Sequence, residues 1–218
     1  MAQLDPDRML VLAYVPASRR AALEALWRLD AALGAVLASG REPMVSRIRL
    51  AWWRESLEKL DAGPPPPEPI LQGVAQHVLP AGVAGAELAA MEEGWSVLLA
   101  PEPPSAEEFD LYAAARGGLL FRFSARLLGG EGAIAAPGGE AWALADLARR
   151  SASPDDAAAA LAAAGGRALP RRWPKSLRPL GMLALLARRD AARGAGAIEV
   201  PGAPARMLRM LRHRLTGN

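Results

Sequence analysis

Apolar residues recur along most of this chain at steps of three and four, the spacing that lines one face of an α-helix. Between Pro16 and Ser39-Gly40 the stripe is Leu23, Leu26, Trp27, Leu33 and Leu37, and Asp30 falls on it three residues after Trp27. The segment MVSRIRLAWWRESLEKL, residues 44 to 60, repeats the pattern with Leu50, Trp53, Leu57 and Leu60. Trp52 and Trp53 stand about 100° apart on a helix, so one narrow buried stripe cannot hold both. Arg49 lies one turn before Trp53 and is expected to face inward. There it is either paired within the protein or held for an anion.

Further along, Pro64 to Pro67 and Pro69 exclude helix and predict a stiff extended connector over 63–69. Helical spacing resumes over 70–79 and 81–99, where Leu88, Met91, Trp95 and Leu98 are in register. Ser105 and Glu108 form a capping-box signature for a helix over 105–128 that holds Phe109, Tyr112, Leu119, Phe123 and Leu127. Gly117-Gly118 sits inside it at about 1 kcal/mol per glycine relative to alanine. That cost points to close helix packing or to a ligand near the backbone. A flexible stretch from 129 to 139 follows, then helices over 139–150, 154–164, 177–193 and 204–215. No internal repeat and no strand-period alternation occurs. The expectation is an all-α bundle forming a single domain over 1–218.

Composition narrows the class more than the function. The chain has 218 residues, enough to bury a sizeable core, and 51% are hydrophobic, much of that share being alanine. Its 26 basic and 23 acidic residues give a net charge of +3, too weak to suggest nucleic-acid binding. All but two of the basic residues, Lys59 and Lys175, are arginines. With no cysteine, disulfides, thiolate nucleophiles and cysteine metal sites are excluded. The start MAQLDPDRML does not read as a signal peptide, and no apolar run reaches membrane-spanning length. A cytoplasmic location is expected. His77 and His213 lie on unrelated segments without partners at metal-ligand spacing. No Ser-His-Asp arrangement, P-loop or dinucleotide fingerprint is present.

LDPDRMLVLAYVPASRRAALEALWRLDAALGAV followed by EPMVSRIRLAWWRESL resembles the squalene/phytoene synthase family. MEEGWSVLL (91–99), YAAARGGLLFRFSARLLG (112–129), GEAWALADLARR (139–150) and GRALP (166–170) follow in family order, so the likeness spans about residues 5 to 190. It is strongest to divergent bacterial members and to the mitochondrial respiratory complex I assembly factor of the same fold, which implies a bacterial origin. The implied fold is the isoprenoid synthase-type helical bundle. Active members couple two prenyl diphosphates head to head, with Mg²⁺ held by two aspartate-rich motifs on facing helices.

This chain departs from that pattern. Gly34 and Ala35 fall where the paired aspartates of the first motif would stand, leaving Asp30 one turn earlier. On the second motif helix Asp146 remains, and Arg150 sits near the expected first aspartate. No metal site is therefore expected, and Mg²⁺ enters only if an active enzyme with altered ligands is the answer. Candidate pocket-lining or anion-binding residues are Asp30, Arg49, Trp53, Tyr112, Arg116, Asp146 and Arg167, each of which has a purely structural alternative. The expected function is that of a partner- or lipid-binding scaffold without prenyl coupling activity, by analogy with the assembly factor. The alternative is an active head-to-head prenyltransferase. PARMLRMLRHRL at 204–215 puts Arg206, Arg209 and His213 on one side, either as a basic face for an anionic membrane or as a solvated face over core-packing residues.

Overall fold

In the computed structural model, residues 4–40, 42–100 and 102–217 are described. They form twelve α-helices and contain no strand. Helices α1 (Pro6–Ala13), α2 (Ala17–Ser39) and α3 (Pro43–Lys59) open the chain, and the proline connector then leads to α4 (Pro69–His77). Two short helices follow, α5 (Gly85–Ala89) and α6 (Met91–Ser96). Next, α7 (Ala106–Tyr112) runs through a π-helical turn, Ala113–Gly118, into α8 (Leu119–Leu127). Helices α9 (Gly132–Arg150), α10 (Pro154–Gly165), α11 (Arg178–Arg193) and α12 (Pro204–Thr216) complete the bundle.

Starts are well marked in the sequence. Proline occupies the first turn of α1, α3, α4, α10, α11 and α12, where its missing N–H costs nothing. Asp5, Glu68, Ser105 and Ser153 each accept a hydrogen bond from a first-turn N–H, and Ser105 with Glu108 completes the expected capping box. Asp61 lies at the end of α3 yet accepts from the N–H groups of Gly85 (2.6 Å) and Ala86 (2.8 Å). That long-range cap sits at the start of α5, later than periodicity predicts, and the expected 81–99 helix is further broken at Ala90 into α5 and α6.

The central helix, α2, buries Leu23, Leu26, Trp27, Leu29, Asp30 and Leu33. The Trp27 indole N–H donates to Ser124 Oγ on α8 at 3.0 Å. One continuous hydrophobic cluster reaches from Leu4 to Met210, so the C-terminal helices share the core of the N-terminal ones.

Two expectations need correction, and one helix goes unannounced by the sequence. First, α9 starts at Gly132 rather than 139 and runs through Pro137. A proline there removes one helical hydrogen bond, yet Ala135, Ala136, Gly138 and Gly139 are buried against neighbours, and tertiary packing overrides the break. Second, α1 is a helix that so short an apolar pattern does not announce. Third, the basic side of α12 faces the protein: Arg206, Met210 and His213 are buried, while Met207, Leu208 and Leu215 are exposed.

Gly117 and Gly139 bring the π-helical turn and α9 into backbone contact. A Cβ at Gly117 would stand 2.1 Å from the Gly139 carbonyl oxygen. Gly117→Ala should lower unfolding stability by about 2 kcal/mol despite alanine's better helix propensity. Gly196→Ala, which meets nothing within 4 Å, should leave the denaturation midpoint unchanged and serves as control.

Candidate functional site

Four of the seven candidate residues converge at the centre of the bundle. Asp30 comes from α2, Tyr112 from the end of α7, Arg116 from the π-helical turn and Asp146 from α9. The Arg116 side chain is 2% exposed and that of Asp30 is fully buried. Arg116 donates through Nε to Asp30 Oδ1 at 2.9 Å, and through Nη2 to Asp30 Oδ2 (3.2 Å) and Asp146 Oδ2 (2.9 Å). Its Nη1 donates to the Tyr112 hydroxyl. The guanidinium plane is covered by aromatic rings, its central carbon lying 4.1 Å from the Trp95 centroid and 4.8 Å from that of Trp142.

The cluster is part of a longer chain of ion pairs. Arg8 donates to Asp30 Oδ2 at 3.0 Å and to Asp5 at 2.6 Å. Asp146 also receives Arg150 at 3.1 Å and has Arg149 at 3.6 Å; Arg149 pairs in turn with Asp190. Arg206 then bridges Asp190 (2.8 Å) to Asp7 (2.9 Å), joining α11 and α12 to the start of the chain. Five carboxylates and five guanidiniums thus meet in a network with no net charge. Neutrality and near-complete pairing make it tolerable in a low-dielectric interior.

Burial works against ionised Asp146, but Arg116, Arg150, Arg8 and Arg149 outweigh it and hold its carboxyl well below the usual carboxylate range. Burial also disfavours the Arg116 cation, and Asp30, Tyr112 and Asp146 more than reverse that, raising its pKa. Burial pushes the Tyr112 phenol far up, so it stays protonated.

The other candidates are placed elsewhere. Arg49 is exposed, with a 3.4 Å contact to Ser39 Oγ; the inward-facing expectation is wrong because the buried arc of α3 is Ser46, Leu50, Trp53 and Leu57. Trp53 is buried, with its ring edge-on to Trp52. Arg167 pairs with Asp110 at 2.5 Å and Glu140 at 3.4 Å, tying its loop to α7 and α9. Sequence reasoning missed Arg8, Trp95, Trp142, Asp190 and Arg206. Only Arg8 had a local signal, in the Asp5-Pro6 cap just before it.

Residues 1–175 match the squalene/phytoene synthase family model. The chain belongs to the squalene/phytoene synthase family. No curated protein and no solved structure matches it significantly.

The Mg²⁺–diphosphate centre of that family does not fit the residues present. Both oxygens of Asp30 accept from arginines, and Arg116 sets a positive charge between the two carboxylates a cation would need. At Gly34 a Cβ would stand 2.7 Å from Trp95 Cη2, so an aspartate there has no room, and Ala35 is exposed. Among the described residues no three acidic or imidazole side chains cluster to hold a metal. The cleft beside Asp146, Trp142 and Arg206 measures about 10 Å³, room for roughly one water.

Removing one partner leaves buried charge uncompensated, so Arg116→Met should cost about 3–5 kcal/mol in denaturant unfolding. Arg116→Lys should rescue little, since a point charge cannot span Asp30, Asp146 and Tyr112. Because the folded Asp146 pKa lies below its unfolded value, its contribution is complete above about pH 4 and lost as pH falls towards the folded value. Asp146→Asn should therefore lower stability at pH 7 and flatten its acid dependence below roughly pH 4.

Proposed function

We propose that this squalene/phytoene synthase family member does not couple prenyl diphosphates and acts as a scaffold that binds a protein partner or a lipid. One observation carries the reading: Arg116 occupies the space between Asp30 and Asp146, the residues left on the two motif faces. In a metal-dependent synthase that space holds cations and diphosphate. Here the protein supplies its own cation, with the indoles of Trp95 and Trp142 packed against it.

The charge balance supports the same conclusion. Bringing in a diphosphate with Mg²⁺ would break several buried ion pairs, and each broken pair leaves an uncompensated charge in the interior. A scaffold role needs none of this chemistry and no cofactor, because function resides in the site rather than in the fold. An assembly-factor-like role follows from the likeness to the mitochondrial relative alone. Among the described residues no helix is long and apolar enough to cross a membrane, which leaves peripheral contact with lipid open.

The test is incubation of the purified chain with farnesyl diphosphate and Mg²⁺, followed by measurement of pyrophosphate release. The expected result is release no faster than in buffer and no rise in melting temperature with millimolar farnesyl diphosphate. Turnover that Arg116→Met increases, or any turnover well above background, would sink the proposal and restore the active-enzyme reading.

A further inference from the structure

Helix α3 is apolar on two opposite faces. Leu50, Trp53 and Leu57 enter the core, whereas Met44, Val45, Ile48 and Trp52 lie outward at 66%, 46%, 64% and 45% exposure. Isolated exposed apolar residues are ordinary, but Met44, Ile48 and Trp52 follow one another at four-residue steps with Val45 alongside. A surface helix ordinarily presents polar residues opposite its buried stripe, and α3 presents these four apolar ones there. Trp52 is also held outward, its ring set edge-on against Trp53 at 5.3 Å and 79°.

Arginines flank this stripe. From Pro43 to Arg54 the helix carries Arg47, Arg49 and Arg54 and no carboxylate; Glu42 precedes it, and Glu55 and Glu58 lie beyond Trp52. The three are loosely held. Arg47 reaches the Leu99 carbonyl at 3.4 Å, Arg49 the Ser39 hydroxyl at 3.4 Å, and Arg54 the Glu92 carboxylate at 4.0 Å. In the buried network Arg116 makes its carboxylate contacts at 2.9 to 3.2 Å.

We infer that the outer face of α3 docks on an anionic lipid bilayer. Met44, Val45, Ile48 and Trp52 enter the boundary between headgroups and acyl chains, and Arg47 and Arg49 pair with lipid phosphates. The stripe from Met44 to Trp52 is about 12 Å long. Four side chains over that length fall short of the roughly 800 Å² per side of a stable protein interface. A bilayer asks only for apolar area with cationic neighbours. Tryptophan suits the interface, and arginine stems lie along apolar surface while their heads stay in water. The inference rests on the surface of α3 and is independent of the closed centre of the bundle.

The full chain should co-sediment with phosphatidylcholine vesicles containing phosphatidylglycerol and not with phosphatidylcholine alone. Trp52 is exposed and the other five tryptophans are buried, so binding should shift the emission to the blue, and brominated acyl chains should quench it. Ile48→Glu/Trp52→Glu should weaken sedimentation at least tenfold with an unchanged melting temperature. Arg47→Gln/Arg49→Gln should weaken it about thirtyfold at low salt. Equal binding to neutral vesicles, or binding retained in Ile48→Glu/Trp52→Glu, would overturn the inference. So would loss of binding in Leu208→Glu/Leu215→Glu, which assigns the contact to α12. Lipid-free self-association abolished by the α3 variant would replace the bilayer with a second copy of the chain.

Discussion

The guanidinium of Arg116, locked between Asp30 and Asp146 and covered by Trp95 and Trp142, is the contact on which the arrangement of this bundle depends. Three segments distant in sequence must bring their charges together within hydrogen-bond reach. A slip of one residue in α2, the π-helical turn or α9 would strand a charge in a low-dielectric interior, at a cost of several kcal/mol. Hydrophobic packing alone tolerates many registers; paired buried charges tolerate few. The extension through Arg149, Asp190 and Arg206 to Asp7 carries the same constraint to the two ends of the chain.

Small residues permit that closure. Gly94 lets α6 approach the Arg116 backbone, where a Cβ would stand 2.6 Å from its nitrogen. Gly34 makes room for the Trp95 ring, and Gly117 lets the turn that carries Arg116 lie against α9. Gly34, which the family resemblance sets against a metal-binding aspartate, is thus a position where a side chain would meet the Trp95 ring. Family fold and filled centre coexist because the scaffold is set by helix packing, while the chemistry of such a fold depends on a few side chains inside it.

Much of this was legible in the chain itself. The periodicity of Leu23 to Leu37, the prolines at helix starts, the Ser105–Glu108 cap and the N-terminal motifs suffice for an all-α bundle of the squalene/phytoene synthase family. Asp30 could be marked because it interrupts an apolar stripe, and Asp146 through the resemblance of its helix to the second family motif. Helix spacing also separates Trp52 from Trp53. It misplaced Arg49, since one turn along a helix does not say which way the whole helix is rotated in the bundle. For the same reason the basic side of α12 was read as outward.

What the sequence determined by itself is therefore local: which segments are helical, where most of them start, and which family they belong to. These properties rest on spacing, capping and proline chemistry within a few residues. Only the tertiary structure decided what Asp30 meets, because Arg116 lies 86 residues away and Arg8 lies 22 away. It alone showed that Asp190 and Arg206 extend the network, that α9 runs through Pro137, and that α3 has an uncovered apolar face. Pairing of buried charges and rotation of helices are settled by packing across the whole bundle, and no local window of sequence contains that information.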